Sequence, residues 1–208
     1  MIVTLKKIMN LINTINAPVH YYSYEGGYFG FLIYLQTVSK QKQKEFARLQ
    51  IEEQREYVSD SAEIFIPMIS PDYLAEIYKA SASHDYPYTL SKVKNIANVS
   101  KEDEHIAVSL YMLLHELGHW DDFVKCGKKP YLYTMPDSEE AKKVHDYGNQ
   151  IQLCLNGKSV LTQKDHSMLE DFIQKYYSVP IEKRANDYAD EHYFDMYELL
   201  RKNGLVYR

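Results

Sequence analysis

The stretch YMLLHELGHWDDF, residues 111–123, places two histidines and a glutamate inside an otherwise apolar run. Upstream of it, Ser100 and Asp103 resemble a capping box, which marks the start of a helix. Apolar residues then recur at helical spacing, at positions 106, 107, 110, 113, 114 and 117. Gly127, followed by two lysines, is typical of a helix end. The sequence therefore predicts one long helix with a buried apolar stripe, which ends near Cys126.

His115, Glu116 and His119 form an HExxH pattern on this helix. Residues four apart lie on the same face, one turn from each other, so the two histidines can bind a single metal ion. Glu116 lies too far round the helix to be a ligand, but it can reach a water molecule on the metal and accept its proton. Zinc suits such a site because it is redox-inert, accepts nitrogen and oxygen ligands, and lowers the pKa of bound water. We therefore predict one Zn²⁺ per chain with Glu116 as catalytic base; the alternative is three solvated side chains on a helix face.

A catalytic zinc site needs a third protein ligand, which leaves the fourth position for water. The extended metzincin pattern is excluded, because it requires glycine and histidine where this chain has Asp122 and Lys125. The segment 180–194, PIEKRANDYADEHYF, instead places Glu182 on one helical face with Asn186 and two alanines, which permit close approach to the histidine helix. The sequence predicts Glu182 as the third ligand and Asn186 as the hydrogen-bond partner of the free ring nitrogen of a bound histidine.

Two further roles stay open at this point. Hydrolysis through a tetrahedral intermediate requires a group that stabilises the oxyanion, and Tyr188, His192 and Tyr193 are candidates on the glutamate helix. For Tyr193, which shares the face of Glu182, a place in the core is the competing interpretation. Asp122 either orients a metal ligand or is a solvated acid at the end of the histidine helix.

Composition and charge exclude several classes of partner. The net charge of -5, with lysine and arginine scattered along the chain, indicates no surface for nucleic acid. Cys126 and Cys154 fit no metal-binding spacing, which is typical of free thiols in a reducing compartment. No apolar run reaches the ~18–20 residues of a membrane span. Lys6 and Lys7 interrupt the apolar residues 2–15, so we expect a core-facing helix there; a helix on a membrane surface is the alternative.

The strand signals are few. The clearest strand is EIFIPMI, residues 63–69, which Pro67 assigns to a sheet edge. Residues 85–96 fit either a strand or an irregular loop, and YLYTM, residues 131–135, fits a short extended segment. We therefore predict a mainly α fold, that is, α+β with a small, partly edge-exposed sheet.

The helical signals cover most of the chain. We interpret residues 1–208 as a single domain in which residues 1–60 form a helical N-terminal part and residues 130–180 a helical insertion. Beyond the histidine helix, helices are predicted for residues 31–57, 71–81, 138–155, 163–178 and 181–202.

The two motifs together resemble a known family. HELGH at residues 115–119, followed on a later helix by E-x-x-A-N-x-[FY]-A from Glu182 to Ala189, resembles the ImmA/IrrE-type zinc metallopeptidases. Many of these proteins are encoded by bacteria, phages and mobile elements. They are gluzincins, so the resemblance implies a zincin-like fold, a cytoplasmic location and Glu116 as the catalytic base. The ligand set that it implies is His115, His119 and Glu182.

The resemblance implies a specific endopeptidase, often one that acts on a repressor or another regulator. We therefore expect a zinc-dependent enzyme that hydrolyses a protein substrate through a metal-activated water. The alternative is a non-catalytic zinc-binding regulator or interaction module with the same fold, although a purely structural site does not need Glu116. Asp121 and Asp122 also give a weaker resemblance to lethal-factor-type toxin proteases, whose histidine helix continues into paired aspartates. A secreted toxin component would need an export signal, which the N-terminal residues do not resemble.

Overall fold

The computed structural model describes residues 2–23, 29–33, 40–80, 85–135, 138–155 and 160–207. The protein is mainly helical and contains a small mixed sheet, which confirms the predicted mainly α class. The strands are β1 (Val19–Tyr22), β2 (Gly30–Ile33) and β3 (Ala62–Pro67). The helices are α1 (Leu5–Ile12), α2 (Lys40–Arg48), α3 (Ile51–Glu56), α4 (Pro71–Ala80), α5 (Asp85–Ile96), α6 (Glu104–Lys125), α7 (Pro130–Thr134), α8 (Ser138–Leu155), α9 (Gln163–Ser178) and α10 (Pro180–Lys202).

β3 is the central strand of the sheet, parallel to β1 and antiparallel to β2. The prediction that Pro67 marks an edge strand is therefore wrong. The amides of Ile64 and Met68 donate to carbonyl groups on the β1 side, so an N–H at position 67 would point towards β2. Among the described residues, β2 pairs with β3 between Ala62 and Phe65, so the donor that Pro67 lacks removes no hydrogen bond from this part of the sheet.

The N-terminal part, residues 1–60, is less helical than predicted. Residues 19–22 and 30–33 are strands, so the helix predicted over residues 31–57 is wrong at its start. Its described helical portions are α2 and α3, and residues 34–39 lie outside the described residues. A short apolar run fits a strand and a helix equally well when periodicity is the only criterion. Pairing with β3 selects the strand for β2.

α1 packs its apolar side chains into the core, as expected for a core-facing helix. Thr4 begins the helix by accepting a hydrogen bond from the amide of Lys7 at 3.2 Å. Lys6 is exposed and lies over the ring of Tyr21. The buried side chains are Leu5, Ile8, Met9 and Ile12. None of the described helices is both long enough and apolar enough to cross a membrane.

Two segments predicted as extended or irregular are helices. Residues 85–96 form α5, in which Tyr86, Thr89 and Val93 are buried at helical spacing. YLYTM contributes to α7, which Pro130 opens at its first position. The aromatic and β-branched residues of both segments favour strands, but packing of both helices against α6 overrides that preference.

α6 is the central helix of the core and covers nearly the whole predicted range. It packs against α1, α4, α5, α7 and α10 and against two strands of the sheet. Its start differs from the predicted capping box, because the Ser100 hydroxyl donates to the Asp103 carboxylate at 2.7 Å and neither side chain caps the helix. Asp103 is buried and accepts a hydrogen bond from the amide of Tyr207 at 3.0 Å. It therefore ties the segment after α10 to the start of α6.

α10 crosses α6 at Gly118 with almost no space between the two backbones. A Cβ at position 118 would lie 2.7 Å from the carbonyl oxygen of Ala185 and 2.9 Å from Cβ of Tyr188. Ala185 and Ala189 of α10 are fully buried. A glycine in the middle of a helix costs about 1 kcal/mol relative to alanine, and this close approach is its structural reason.

We expect Gly118→Ala to lower the free energy of unfolding by about 1–3 kcal/mol, as is typical of overpacking in a core. The added methyl group meets backbone atoms, which cannot move aside as a flexible side chain can. The clash therefore outweighs the ~1 kcal/mol of helix propensity gained. Urea denaturation followed by circular dichroism measures the change. The matched control is Val124→Ala at an exposed position of α6, where we expect less than ~0.5 kcal/mol. Unchanged or higher stability of Gly118→Ala would contradict the close crossing.

Candidate metal centre

Two histidines of α6 and one glutamate of α10 meet where these helices cross. Nε2 of His115 lies 3.0 Å from Nε2 of His119 and 3.1 Å from Oε2 of Glu182. Nε2 of His119 lies 3.5 Å from the same carboxylate oxygen. One potential ligand atom from each of the three residues lies within 4.8 Å of the other two, which is close enough to hold a single metal ion.

The other ring nitrogen of each histidine has a hydrogen-bond partner. Nδ1 of His115 lies 3.0 Å from Oδ1 of Asn186, and Nδ1 of His119 lies 3.0 Å from the hydroxyl oxygen of Tyr133. An amide oxygen can only accept, so Nδ1 of His115 carries the proton, and the Tyr133 hydroxyl can accept from His119 in the same way. Neutral imidazoles in these tautomers direct both Nε2 lone pairs at one point, as metal ligands do.

Oε2 of Glu182, the third potential ligand atom, faces these two lone pairs. It is buried and has no hydrogen-bond partner, because Nε2 of His115, which lies 3.1 Å away, offers a lone pair in this tautomer and not a proton. Three electron-pair donors that face one another across 3.0–3.5 Å are unfavourable unless a cation lies between them. Two imidazoles and one carboxylate therefore fit a divalent metal ion.

Charge reinforces this arrangement. Burial favours a higher pKa for Glu182, but His115 and His119, whose Nε2 atoms lie 3.1 and 3.5 Å from Oε2, outweigh it and hold the pKa well below its usual range. Burial favours a lower pKa for His115, yet the carboxylates of Glu182 and Glu116 raise it overall. Glu182 is thus an anion at neutral pH, and a metal ion competes with protons for the Nε2 atoms.

Glu116 lies beside the metal cluster, at a cavity of ≈ 230 Å³. Its side chain is 9% exposed, and it lines this cavity together with His115. The carboxylate predicted to be the catalytic base therefore faces the space next to the predicted ligands. Most of the remaining wall is aromatic and comes from Phe29, Tyr78, Tyr111, Phe172, Tyr176 and Tyr177.

Two tyrosines of the site were not predicted from the sequence. The hydroxyl of Tyr133, in α7, meets Nδ1 of His119. Tyr176, in α9, lines the cavity together with His115 and Glu116, and burial together with the charges of Glu182 and Glu116 raises its pKa above the usual range. No sequence signal identifies either tyrosine, because neither belongs to a motif and tertiary packing alone brings both to the cluster.

The predicted supporting residues have different positions. Asn186 lies at His115, where the sequence predicted it. The carboxylate of Asp122 accepts a hydrogen bond from Nε of Arg184 at 2.8 Å. Asp122 therefore forms an ion pair between α6 and α10, one turn beyond Gly118, rather than a solvated end to the helix.

The three oxyanion candidates of α10 are engaged elsewhere. Tyr193 is fully buried and donates to the carbonyl oxygen of Ala107 at 3.3 Å, which agrees with a place in the core. Tyr188 stacks on His192 with ring centroids 4.1 Å apart, and Nδ1 of His192 lies 2.9 Å from the Tyr188 carbonyl oxygen. None of the three belongs to the described lining of the cavity at Glu116.

Comparison with family models, with curated protein sequences and with solved structures finds no match for this chain. The interpretation of the site therefore depends on its residues and their geometry. The resemblance to ImmA/IrrE-type metallopeptidases remains a hypothesis drawn from two motifs.

We expect Glu182→Ala to weaken metal binding by more than the roughly 10–100-fold typical of a lost supporting hydrogen bond, because it removes one of three ligands. The controls are His145→Ala and His166→Ala, which replace exposed histidines of α8 and α9 outside the cluster and should leave the affinity unchanged. Titration with Co²⁺, followed by its visible absorption, measures binding in all three variants. A control that loses the metal while Glu182→Ala retains it would contradict this ligand set.

Proposed function

We propose that this protein is a zinc-dependent endopeptidase with a zincin-like fold, which hydrolyses a specific protein substrate such as a repressor or another regulator. The observation that supports this most directly is the convergence of ligand atoms from His115, His119 and Glu182 beside the buried carboxylate of Glu116. A purely structural metal site requires neither that carboxylate nor an adjoining cavity. The resemblance to ImmA/IrrE-type enzymes supports the same function.

Zinc is the metal that suits this donor set best. Two imidazole nitrogens and one carboxylate oxygen provide three protein ligands, the number typical of catalytic zinc sites, and leave a fourth position for water or substrate. When bound, zinc would lower the pKa of a water molecule and polarise a peptide carbonyl group. Asn186 and Tyr133 hold the two imidazoles in the orientation that this requires.

Glu116 is the proposed general base. It follows His115 on α6, and its carboxylate lines the cavity in which a peptide bond would lie. We assign to Glu116 the transfer of a proton from the attacking water to the leaving amine, a role that requires no more than the reach of one hydrogen bond. The ligand residues hold the metal, and Glu116 moves the proton.

Tyr176 is the proposed oxyanion-stabilising residue, in place of the three candidates on α10. It lines the same cavity as His115 and Glu116, and burial together with the charges of Glu182 and Glu116 raises its pKa. The oxygen of a substrate carbonyl in that cavity can accept a hydrogen bond from this hydroxyl. A tyrosine hydroxyl is protonated at neutral pH, as a donor must be.

Two features bear on the substrate and the location. A cavity of ≈ 230 Å³ has room for one large side chain rather than a folded domain, so we propose cleavage within an extended, accessible segment. Cys126 and Cys154 are free thiols, which supports the proposed reducing, cytoplasmic environment.

We expect the purified protein to bind about one zinc per chain and to cleave members of a proteome-derived peptide mixture, with new termini detected by mass spectrometry. Glu116→Gln should retain the zinc, because residue 116 is not a ligand. The same variant should lose cleavage by roughly 10²–10⁴-fold, the contribution of a general base.

The matched control is Glu104→Gln at the start of α6, where Glu104 pairs with Lys94 at 2.6 Å. It should retain both zinc and cleavage. A protein that takes up no zinc on reconstitution would contradict the metal centre, and zinc uptake without cleavage would favour the non-catalytic regulator. Activity of Glu116→Gln within a few-fold of the unaltered protein would exclude Glu116 from the chemistry.

We expect Tyr176→Phe to retain zinc and to lower kcat by roughly 10²-fold, the effect of removing one donor to an oxyanion. The control is Tyr147→Phe, which removes a hydroxyl that donates to Asp171 at 2.8 Å within the α8–α9 pair and outside the cavity. Steady-state kinetics on a peptide found in the mixture measures both variants. An unchanged kcat with weakened zinc binding would mean that Tyr176 supports only the ligand Glu182.

A further inference from the structure

The cavity beside the metal cluster has two carboxylates in its wall. They belong to Asp85 of α5 and Glu116 of α6, and the described lining contains neither lysine nor arginine. Tyr177, whose ring centroid lies 6.3 Å from that of His115, lines the same cavity. Asp85 therefore shares this cavity with one residue of the metal cluster and with the proposed base.

Aromatic rings line the space between the two carboxylates. Phe29, Phe172, Tyr176 and Tyr177 are among them, and stacking of Tyr177 on Tyr88 at 5.0 Å fixes its ring. Aromatic faces attract ammonium and guanidinium groups, and the attraction strengthens as the site is desolvated. An aromatic cavity with an aspartate in its wall favours a cation over a neutral or an acidic occupant.

The size of the cavity fits one long basic side chain. Its methylene groups can lie along the rings while its charged end meets Asp85. A guanidinium group can donate two hydrogen bonds to one carboxylate. A large apolar side chain would also contact the rings, but it would gain nothing from the charge of Asp85.

We propose that this cavity binds an arginine or lysine side chain next to the scissile bond, with Asp85 as the residue that selects its positive charge. The inference rests on the proposed endopeptidase function and names its substrate class, an extended protein segment with a basic residue flanking the cleaved bond. Asp85 binds no metal and transfers no proton; it determines specificity.

Cleavage-site profiling of the zinc-loaded protein on the peptide mixture tests this assignment. We expect arginine or lysine at one position flanking the cut. Asp85→Asn, which keeps the shape of the side chain, should lower kcat/KM for such peptides roughly 10- to 100-fold and leave the zinc content unchanged. Asp85→Lys should shift the preference towards acidic residues. The matched control is Asp72→Asn, because Asp72 also lies in the first turn of a helix but is exposed and pairs with His105 outside the cavity.

A matched pair of peptides tests the same point without any mutation. Citrulline has nearly the size and shape of arginine but lacks its charge. A peptide with citrulline in place of the flanking arginine should be cleaved roughly 10- to 100-fold less efficiently by the unaltered protein. Equal cleavage of the two peptides would overturn the inference.

A binding measurement separates this inference from the proposed catalysis. Immobilised, zinc-loaded Glu116→Gln protein should retain arginine- and lysine-containing peptides from the mixture, and Glu116→Gln combined with Asp85→Asn should retain fewer of them. Selective retention with no cleavage by the unaltered protein would overturn the endopeptidase proposal alone. Cleavage or retention without a preference for peptides that contain arginine or lysine would overturn the inference. An unchanged preference for these peptides in Asp85→Asn would overturn it as well.

Discussion

The close approach of α6 and α10 at Gly118 is the contact on which the site depends. Gly118 lies between the two histidines of the cluster, and the backbone of Ala185, against which it packs, is one turn from Glu182. A side chain at position 118 would move the first turn of α10 away from the imidazoles and separate the ligand atoms. The ion pair of Asp122 with Arg184, the neighbour of Ala185, adds a second contact between the two helices one turn further along α6. The backbone contact and the ion pair therefore position the three side chains through two packed helices and not through a loop.

The orientation of the imidazoles depends on contacts outside that pair as well. Gly127 and Lys128 both have positive φ, +66° and +56°, and this left-handed turn sends the chain back towards the end of α6. α7 then packs there, with the ring of Tyr133 edge-on to Phe123 at 5.5 Å, and its hydroxyl reaches His119. The turn at Gly127 and Lys128 therefore ends α6 and also positions Tyr133, whose hydroxyl contacts His119.

How far the sequence predicts the site follows from how local each signal is. The meeting of His115 and His119 with Glu182 was predictable, because HExxH is a contiguous motif and Glu182 and Asn186 share one helical face with small residues. The positions of Tyr133 and Tyr176 were not predictable. The turn after α6 brings Tyr133 to the cluster, and packing of α9 on α10 brings Tyr176 there. The same limit explains β2 and α5. Their short segments are compatible with either secondary structure, and pairing with β3 or burial against α6 decides between the two.

The site divides between two sets of elements. α6, α7 and α10 supply the three clustered side chains and the groups that contact them, whereas α5 and α9 supply much of the cavity wall. Substitutions in α5 or α9 can therefore alter the shape and charge of the cavity while the three clustered residues stay the same. Tyr176 and Tyr177 are consecutive in α9, and both line the cavity together with His115 and Glu116. α9 is thus an element through which a group bound in the cavity and the side chains of the cluster can influence each other.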